Sequence, residues 1–414
     1  MAYITSHILR VKIKVAVFIL FFIFSFSFFI SKPMGNHFLK GFIRGPISPG
    51  CQMGETKVKM QKITERKGRE EKFRWGLFKK LLKKMDIEGD LRIKYQWDKK
   101  DGKVKKKKEL RFGVNCVIRP TKRFKVGFGI SSMGKHPRSR DVSFDNLFKK
   151  ESFKLDNIYL EYFPLKILKF WVGKYKSFQS SLWEETDLLW DRDLRPKGIG
   201  AKLMKYGDEA IFLNGGIFFL KSDATNLNSF MVYFQDGAKF KFSKDISFCG
   251  AFSYYNSIRV RGNKLKFSSE TNSVENNRLK YDYNVFVPEM EVVFSMKGFL
   301  HSLSFYGEFV HNFSVDLANN GFLFGTTFGW KKINRLGKWQ VKLIHRKLER
   351  DAWLDSFPDS GSFEGKTEIE GNEIVFELGL YRNLIFKAKY YRTREMKYPR
   401  RLDNLLKTFV LLKF

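Results

Sequence analysis

The sequence predicts an all-β fold, a transmembrane antiparallel up-and-down β-barrel of about 16 strands that follows a short N-terminal periplasmic helix. Three observations predict it: an export-like N-terminus, a hydrophobic period of two beyond residue 85, and short and long connections that alternate. Past residue 34 no apolar run reaches the roughly 20 residues of a spanning helix, yet 17% of the residues are aromatic. An exported, aromatic chain without helical spans is typical of a membrane barrel.

The first element is an export signal. Basic residues at positions 10, 12 and 14 precede an unbroken apolar stretch over residues 15–30, which is the order of a signal peptide. The alternative is a membrane anchor, but sixteen residues are few for a spanning helix. We therefore expect residues 1–34 to be a signal peptide that is cleaved near Gly35 or somewhat beyond it.

A basic segment over residues 35–86 follows the signal. Residues 55–85 are dense in Lys, Arg and Glu, and residues 75–85 (WGLFKKLLKKM) place Leu77, Phe78 and Leu81 at helical spacing. This pattern predicts a short amphipathic periplasmic helix that docks on the pore, contacts the cell wall or pairs with a copy of itself. The alternative, which the composition favours slightly, is a frayed basic linker.

The charge balance is strongly basic. Lys and Arg outnumber Asp and Glu by 77 to 43, a net charge of +34, which in an intracellular protein would suggest nucleic acid. Export argues against a nucleic-acid partner, and the charge is better suited to a pore lumen or to anionic lipid head groups. Three widely spaced cysteines, Cys51, Cys116 and Cys249, do not suggest a disulfide framework.

The barrel itself is predicted over residues 87–414. In its first strand the apolar Leu91, Ile93 and Tyr95 alternate with polar residues, and the same alternation recurs to the end of the chain. It slips phase near Pro288, which predicts a bulge or a kink there. Because soluble sandwiches also alternate, the period alone does not show that the sheet spans a membrane.

The lengths of the connections distinguish a membrane-spanning barrel from a soluble sandwich. Seven tight connections alternate with eight connections that are mostly longer, and this implies about 16 strands with both termini on the periplasmic side. The tight connections are predicted at residues 119–122, 163–166, 206–208, 243–245, 296–299, 333–338 and 382–383, and the longer ones at residues 99–106, 134–152, 176–197, 221–228, 257–279, 312–319, 349–371 and 393–403.

The last strand ends the chain on an aromatic residue. Phe414, Leu412 and Val410 share one face, while Lys413 and Lys407 share the other. This pattern resembles the C-terminal signature by which outer-membrane barrels are handed to the barrel assembly machinery. We expect Phe414 to be the assembly signal, at the end of the strand that closes the barrel against the strand beginning at Gly89.

Three stretches resemble the putative porin family of bacterial outer-membrane β-barrels: GDLRIKYQW (residues 89–97), LDNIYLEYFP (residues 155–164) and LLWDRDLRPKGIG (residues 188–200). The resemblance implies a passive diffusion channel for small hydrophilic solutes in the outer membrane of a Gram-negative cell. A homotrimer is one assembly that the sequence leaves open. Where such proteins tend to have a second Arg in the first strand, this chain has Lys94, so the preferred ion does not follow from the family.

The residues of opposite parity to the apolar ones are expected to line the lumen. Rings of Lys and Arg favour anions over cations, so this wall predicts an anion preference. The alternatives are snorkelling to head groups at the rims and neutralisation by lumenal acids such as Glu161, Glu308 and Glu377. The predicted pore-lining basic residues are Arg92, Lys94, Arg111, Arg123, Lys125, Lys169, Lys239, Lys241, Lys342, Arg346, Lys387 and Lys389.

The third long loop, residues 176–197, is acidic in an otherwise basic chain. In general porins the third outward loop folds into the barrel, so the resemblance makes this segment the candidate constriction. The alternative is a surface loop whose acids pair with Arg192 and Arg195 and bind divalent cations weakly. The acids of this loop are Glu184, Glu185, Asp187, Asp191 and Asp193.

No catalytic, metal or cofactor motif is recognised. His301 is followed by Ser302 and Ser304, which is not the i, i+2 spacing from His to Ser of an outer-membrane phospholipase, and no nucleophile-elbow or phosphate-loop glycine pattern occurs. We therefore expect no enzyme and no cofactor, and outer-membrane lipid, lipopolysaccharide and the assembly machinery as partners. The competing hypothesis is a plugged or structural barrel that tethers the outer membrane to the cell wall through its basic N-terminal segment.

Overall fold

The computed structural model describes residues 84–134, 136–144, 153–175, 188–205, 210–220, 229–361, 363–398 and 400–414. The predicted signal peptide and the predicted helix, as far as residue 83, lie outside the described residues. The first strand begins at Met85, two residues before the predicted start of the barrel at residue 87. Among the described residues, none of the helices is long and apolar enough to cross a membrane.

Sixteen long strands form the barrel within the described ranges. Three short strands lie in its connections, and these are β4 (Val142–Ser143), β11 (Val274–Glu275) and β12 (Arg278–Leu279). The barrel strands are β1 (Met85–Lys100), β2 (Lys103–Thr121), β3 (Phe124–Ser132), β5 (Phe153–Leu165), β6 (Leu168–Lys174), β7 (Lys197–Lys205), β8 (Ala210–Leu220), β9 (Ser229–Lys241), β10 (Ile246–Ile258), β13 (Tyr283–Ser295), β14 (Ser302–Asn312), β15 (Asn320–Gly329), β16 (Trp339–Leu348), β17 (Ile369–Tyr381), β18 (Leu384–Glu395) and β19 (Leu402–Lys413).

The sheet closes on itself. Each barrel strand pairs antiparallel with the next barrel strand along the chain, and β19 pairs antiparallel with β1 from Lys413 opposite Asp90 to Asp403 opposite Lys100. Closure satisfies the backbone groups that an open edge would expose to hydrocarbon. The predicted up-and-down barrel of about 16 strands is thereby confirmed.

The outer surface of the barrel is apolar. Ile93, Phe170, Phe234 and Phe324 are among the large side chains that remain exposed, and all of them belong to the parity that faces away from the lumen. The inward parity carries most of the buried polar and charged side chains, such as Lys94. A strand that separates apolar from polar residues in this way suits lipid on one side and water on the other.

The connections differ strongly between the two rims. Among the described residues the short-turn rim includes two-residue turns after β2, β5 and β17, whereas the long-loop rim carries residues 259–282 and 349–368. The prediction of a longer loop at residues 99–106 is wrong, because Asp101 and Gly102 (φ of 49° and 79°) alone connect β1 to β2. An Asp-Gly pair adopts the left-handed conformations of a tight hairpin, so the lysine run beyond it stays paired with β1.

The bulge predicted near Pro288 is wrong, although the pairing of β13 with β14 is interrupted at Val287 and Pro288. Phe252 lies opposite Pro288 in a ladder from β10 whose register does not change along β13. Towards β14 the register is likewise the same on both sides of Pro288. Pro288 lacks a backbone N–H donor, and β13 accommodates the missing hydrogen bond without a bulge.

One part of the lumen is filled by loops. Trp190 and Trp353, from the loops over residues 188–196 and 349–368, belong to the same buried cluster as the inward-facing strand residues Phe218 and Tyr255. Trp353 is fully buried. The lumen is therefore divided into a region packed with aromatic and aliphatic side chains and a region that remains open.

Candidate pore and constriction

The open region is a cavity of about 590 Å³ against the inner faces of β1, β2, β18 and β19. Along β19 its lining extends from Asp403 to Lys413, which at about 3.3 Å per residue is a distance of about 33 Å. Strands tilt by roughly 40° and the apolar band of a barrel is about 25 Å tall. The cavity therefore follows this wall over a length that matches the height of the membrane.

Eleven of the twelve basic residues predicted to line the pore have inward parity. Arg123 instead lies in the turn between β2 and β3. Lys239 and Lys241 are inward but exposed, close to the turn that ends β9. Five of the twelve line the 590 Å³ cavity, and these are Arg92, Lys94, Arg111, Lys387 and Lys389.

Several of the predicted basic residues, inside and outside this cavity, pair with inward-facing acids. Glu161 lies 3.0 Å from the ammonium of Lys125 and 3.1 Å from that of Lys169. On the opposite wall Glu373 pairs with Arg346 and, at 2.8 Å, with Lys389. These ion pairs make the electrostatic potential of the lumen less positive than the number of Lys and Arg side chains alone would suggest.

Asp141 ties the loop after β3 to the wall. Val142 pairs with Leu110 on the outer part of β2, beyond the point where β3 has ended, and this fixes the preceding carboxylate. That carboxylate lies 2.5 Å from Arg92 and 2.5 Å from Lys94. Burial opposes ionisation of Asp141, but the two cations outweigh it and lower the pKa to about 2. The sequence analysis missed this acid, since a single Asp after a basic stretch carries no recognisable signal.

Asp193 is the centre of a second ion-pair group. Its carboxylate lies 2.7 Å from Arg140 and 3.3 Å from Arg111. Burial again opposes ionisation, but Arg140 and Arg111 hold the pKa of Asp193 far below its usual range. The group joins the candidate constriction loop to both the wall and the loop after β3.

The pKa of Asp191, two residues away, is shifted in the opposite direction. Burial, together with the nearby carboxylates of Asp359 and Asp193, raises its pKa to about 8. The backbone N–H groups of Asp193 and Ser360 each donate to its side chain at 2.8 Å. Of the five acids predicted for this loop, Asp191 and Asp193 line the cavity, and Glu184, Glu185 and Asp187 lie outside the described residues.

Arg138 holds three loops together. Its guanidinium donates to the carbonyl oxygens of Asp355, Pro358 and Gly365 at 2.8 to 3.2 Å and to the hydroxyl of Ser269 at 2.9 Å. The side chain is only 3% exposed. A planar donor fork satisfies several carbonyl oxygens at once, which a lysine could not do.

Aromatic contacts hold residues 188–190 of the candidate constriction loop inside the barrel. The Trp190 ring lies 5.4 Å from that of Trp353 and 4.9 Å from that of Phe357. The indole N–H of Trp353 donates to the carbonyl of Leu189 at 2.8 Å. The bulky Trp190 of this loop packs into the lumen, while Trp183, the other tryptophan of the predicted loop, lies outside the described residues.

Among the charged residues that line the cavity, cations outnumber acids eight to four on the strands, and acids outnumber cations five to three on the loops. Eleven Lys and Arg side chains line it together with nine Asp and Glu side chains. The strands supply lysines such as Lys387, Lys389 and Lys407, whereas the loops supply Asp141, Asp191 and others. Within the described residues no group of three or more His, Cys, Asp or Glu side chains could hold a metal ion.

Comparisons with known proteins agree with this architecture. The model of a family described as putative porin matches residues 92–298 and 276–406. The structure of Pseudomonas putida OprB at high pH is similar, with a TM-score of 0.56 and 9% identity over 82% of this chain and 97% of that one. A triple mutant of the Rhodopseudomonas blastica porin matches with a TM-score of 0.45 and 8% identity over 80% of this chain and 100% of that one. A search of curated protein sequences finds no match.

Proposed function

Since the chain belongs to the putative porin family and is an outer-membrane porin channel, we propose that its open cavity conducts small hydrophilic solutes and prefers anions. The observation that supports the preference most directly is the lining of that cavity, where eleven basic side chains outnumber nine acids. A single-sign excess in a narrow, low-dielectric lumen attracts the opposite ion.

Two further features support an anion preference. Below about pH 8 Asp191 is largely protonated, which lowers the number of negative charges that the cavity presents. At the long-loop rim Lys103, Lys105 and Lys107 have the inward parity of β2 and are exposed. Cations at the mouth of a channel raise the local concentration of anions before they reach the narrow part.

The constriction itself is proposed to orient solutes. Carboxylates on the loop side, including Asp359 and Glu364, face a wall that carries Lys387, Lys389 and Lys407. Opposite charges across a pore create a transverse field, which aligns dipolar solutes without closing the path. We propose on this basis that residues 188–197, the described part of the candidate loop, and the adjoining loops narrow the channel.

The proposal is tested by electrophysiology on detergent-purified, refolded protein in planar bilayers. We expect discrete conductance steps and, under a tenfold KCl gradient, a reversal potential with the sign of anion selectivity. The absence of conductance steps would contradict the channel, and a potential of the opposite sign would contradict the anion preference. Neutralising Lys107 and Lys413 together, which are exposed and line the cavity, should move the potential towards cations.

The tethering hypothesis involves residues 55–83, which lie outside the described residues, and it stays a prediction. Because β1 begins at Met85, a deletion that tests it should end at residue 83. A tether would lose its co-sedimentation with the cell wall after this deletion. A channel would keep its conductance.

The orientation and the partners are proposals as well. With both termini periplasmic, the long-loop rim faces the cell exterior. Its lysines of lipid-facing parity, Lys99, Lys106 and Lys108, would lie among the phosphates of outer-membrane lipid and lipopolysaccharide. Phe414 is 56% exposed on the lipid-facing side, where it stacks on Phe112 at 6.5 Å. This exposure suits recognition of the terminal strand by the barrel assembly machinery. A homotrimer remains a proposal to be tested by mass measurement in detergent.

A further inference from the structure

Four side chains that line the cavity lie side by side at one level of the barrel wall. Gln96 on β1 is opposite Lys107 on β2 and opposite Lys407 on β19, and Lys407 is in turn opposite Lys389 on β18. All four line the 590 Å³ cavity. Neighbouring strands are about 4.8 Å apart, so this lysine row extends over about 14 Å of the wall.

The lysine row differs from its neighbours in how its charges are compensated. One step nearer the short-turn rim, Lys94 lies 2.6 Å from Glu109 and Lys387 lies 2.5 Å from Glu377. Within the row Lys389 pairs with Glu373 at 2.8 Å. Lys107 and Lys407 make no ion pair or hydrogen bond with any described residue, and the ammonium of Lys407 lies over the ring of Tyr391, at 5.6 Å from its centroid.

Gln96 provides an independent indication of a ligand. Its side chain is about nine-tenths buried, with 9% of its surface exposed, and it lines the cavity between Lys107 and Lys407. It makes no hydrogen bond with any described residue. Buried amides are normally satisfied, because an unpaired donor or acceptor costs free energy. An amide donor between two ammonium groups that lack an ion pair presents the donors that an oxyanion accepts.

We propose that Lys107, Gln96 and Lys407 form a binding subsite for the oxyanion of a permeating solute, that is, for a carboxylate or phosphate group. This inference rests on the proposed anion preference of the channel and identifies where in the channel a permeating anion binds. The two ammonium groups supply the charge and the Gln96 amide donates a hydrogen bond between them. The loop carboxylates of Asp359 and Glu364, which also line the cavity, hold the anion on the strand side by repulsion.

The test measures how inorganic phosphate and acetate, added in turn, reduce the chloride current through single channels. We expect Lys407→Gln to weaken the apparent affinity for the probe by about tenfold, since a charge-assisted hydrogen bond is lost. The matched control is Lys413→Gln, which removes one positive charge from the same strand and the same cavity but lies outside the row. We expect that control to change the affinity less than about twofold.

Equal losses in Lys407→Gln and Lys413→Gln would overturn the subsite, because they would show only a general field. An unchanged affinity in Lys407→Gln would also overturn it. If Lys407→Gln does not fold, Gln96→Leu and the exposed Lys107→Gln carry the same test, and Lys407→Arg should retain binding. If these variants overturn the subsite but the reversal potential still shows anion preference, the proposed function stands. If the wild-type channel prefers cations, both the subsite and the proposed anion preference are contradicted. If phosphate reduces the chloride current and acetate does not, the subsite is supported and its ligand is restricted to phosphate groups.

Discussion

On β8 and β9 the lumenal face carries Phe218, Met231 and Tyr233, whereas on β18 and β19 the same face carries Lys389 and Lys407. We call the first region, the inner faces of β6 to β10 and β13 to β15, the packed half. The second region, the inner faces of β1, β2, β18 and β19, is the charged half. Both halves face inwards by the same alternation, but the 590 Å³ cavity lies against the charged half.

The difference shows how a wide barrel can hold a narrow channel. A closed sheet of sixteen strands encloses more space than its own side chains fill. Trp190 and Trp353 bring two loops onto the aromatic side chains of the packed half, where burial of apolar surface stabilises them. On β1, β2, β18 and β19 no described residue belongs to this apolar cluster, so the cavity remains there.

The largest effect is expected in the packed half, from Trp353→Ala. Trp353 is fully buried, and removing such a side chain costs about 3–5 kcal/mol. The loops should loosen and the channel should widen, so the free energy of unfolding should fall while single-channel conductance rises. Thermal unfolding in detergent and bilayer recordings measure the two effects. The control is Tyr398→Ala, since Tyr398 is 89% exposed; a similar effect in both variants would contradict the assigned role of the packed half.

A smaller effect is expected in the charged half, from Asp193→Asn. The change keeps the shape but leaves Arg111 and Arg140 without the carboxylate that lies 3.3 Å and 2.7 Å from them. Losing these charge-assisted bonds should cost about 2–3 kcal/mol and shift the reversal potential further towards anions. Asp316→Asn, in the loop after β14 and outside the cavity, serves as the control. A shift towards cations in Asp193→Asn would show that the acid does not face the conduction path.

The smallest effect is the pH dependence of Asp191. Its pKa of about 8 in the folded protein lies above the ordinary value near 4, so its contribution to stability is full below about pH 4 and is lost as the pH rises through about 8. Ionisation also adds one negative charge to the cavity. From about pH 7 to about pH 9 we therefore expect the reversal potential to move towards cations. Asp191→Asn should remove that part of the shift, and an identical shift in the variant would contradict the assignment.

The sequence predicts the barrel well because strand alternation and turn chemistry are local. The parity of Leu91, Ile93 and Tyr95 is enough to orient β1, and every later strand inherits its register from the hairpin before it. The same parity could have identified Gln96 and Lys407 as lumenal, since they lie on the faces of Lys94 and Lys413. The lysine run at the start of β2 was taken for a loop because its composition is that of a solvated segment, although Asp101 and Gly102 suffice for the turn.

The arrangement of the constriction could not be predicted in the same way. Asp141 meets Arg92 and Lys94 only because the loop after β3 folds back onto β2. Arg138 meets carbonyl oxygens more than 200 residues away in the chain. Such contacts depend on which loops enter the lumen, and a single sequence carries no signal for that.

The central claim, that the conduction path follows the charged half, is tested most directly by thiol accessibility in open channels. With Cys51, Cys116 and Cys249 replaced by Ser, Lys407→Cys and Val287→Cys place a single thiol on the inner face of each half. We predict that a methanethiosulfonate reagent lowers single-channel conductance in Lys407→Cys and leaves Val287→Cys unchanged. A reduced conductance in Val287→Cys without one in Lys407→Cys would contradict the account.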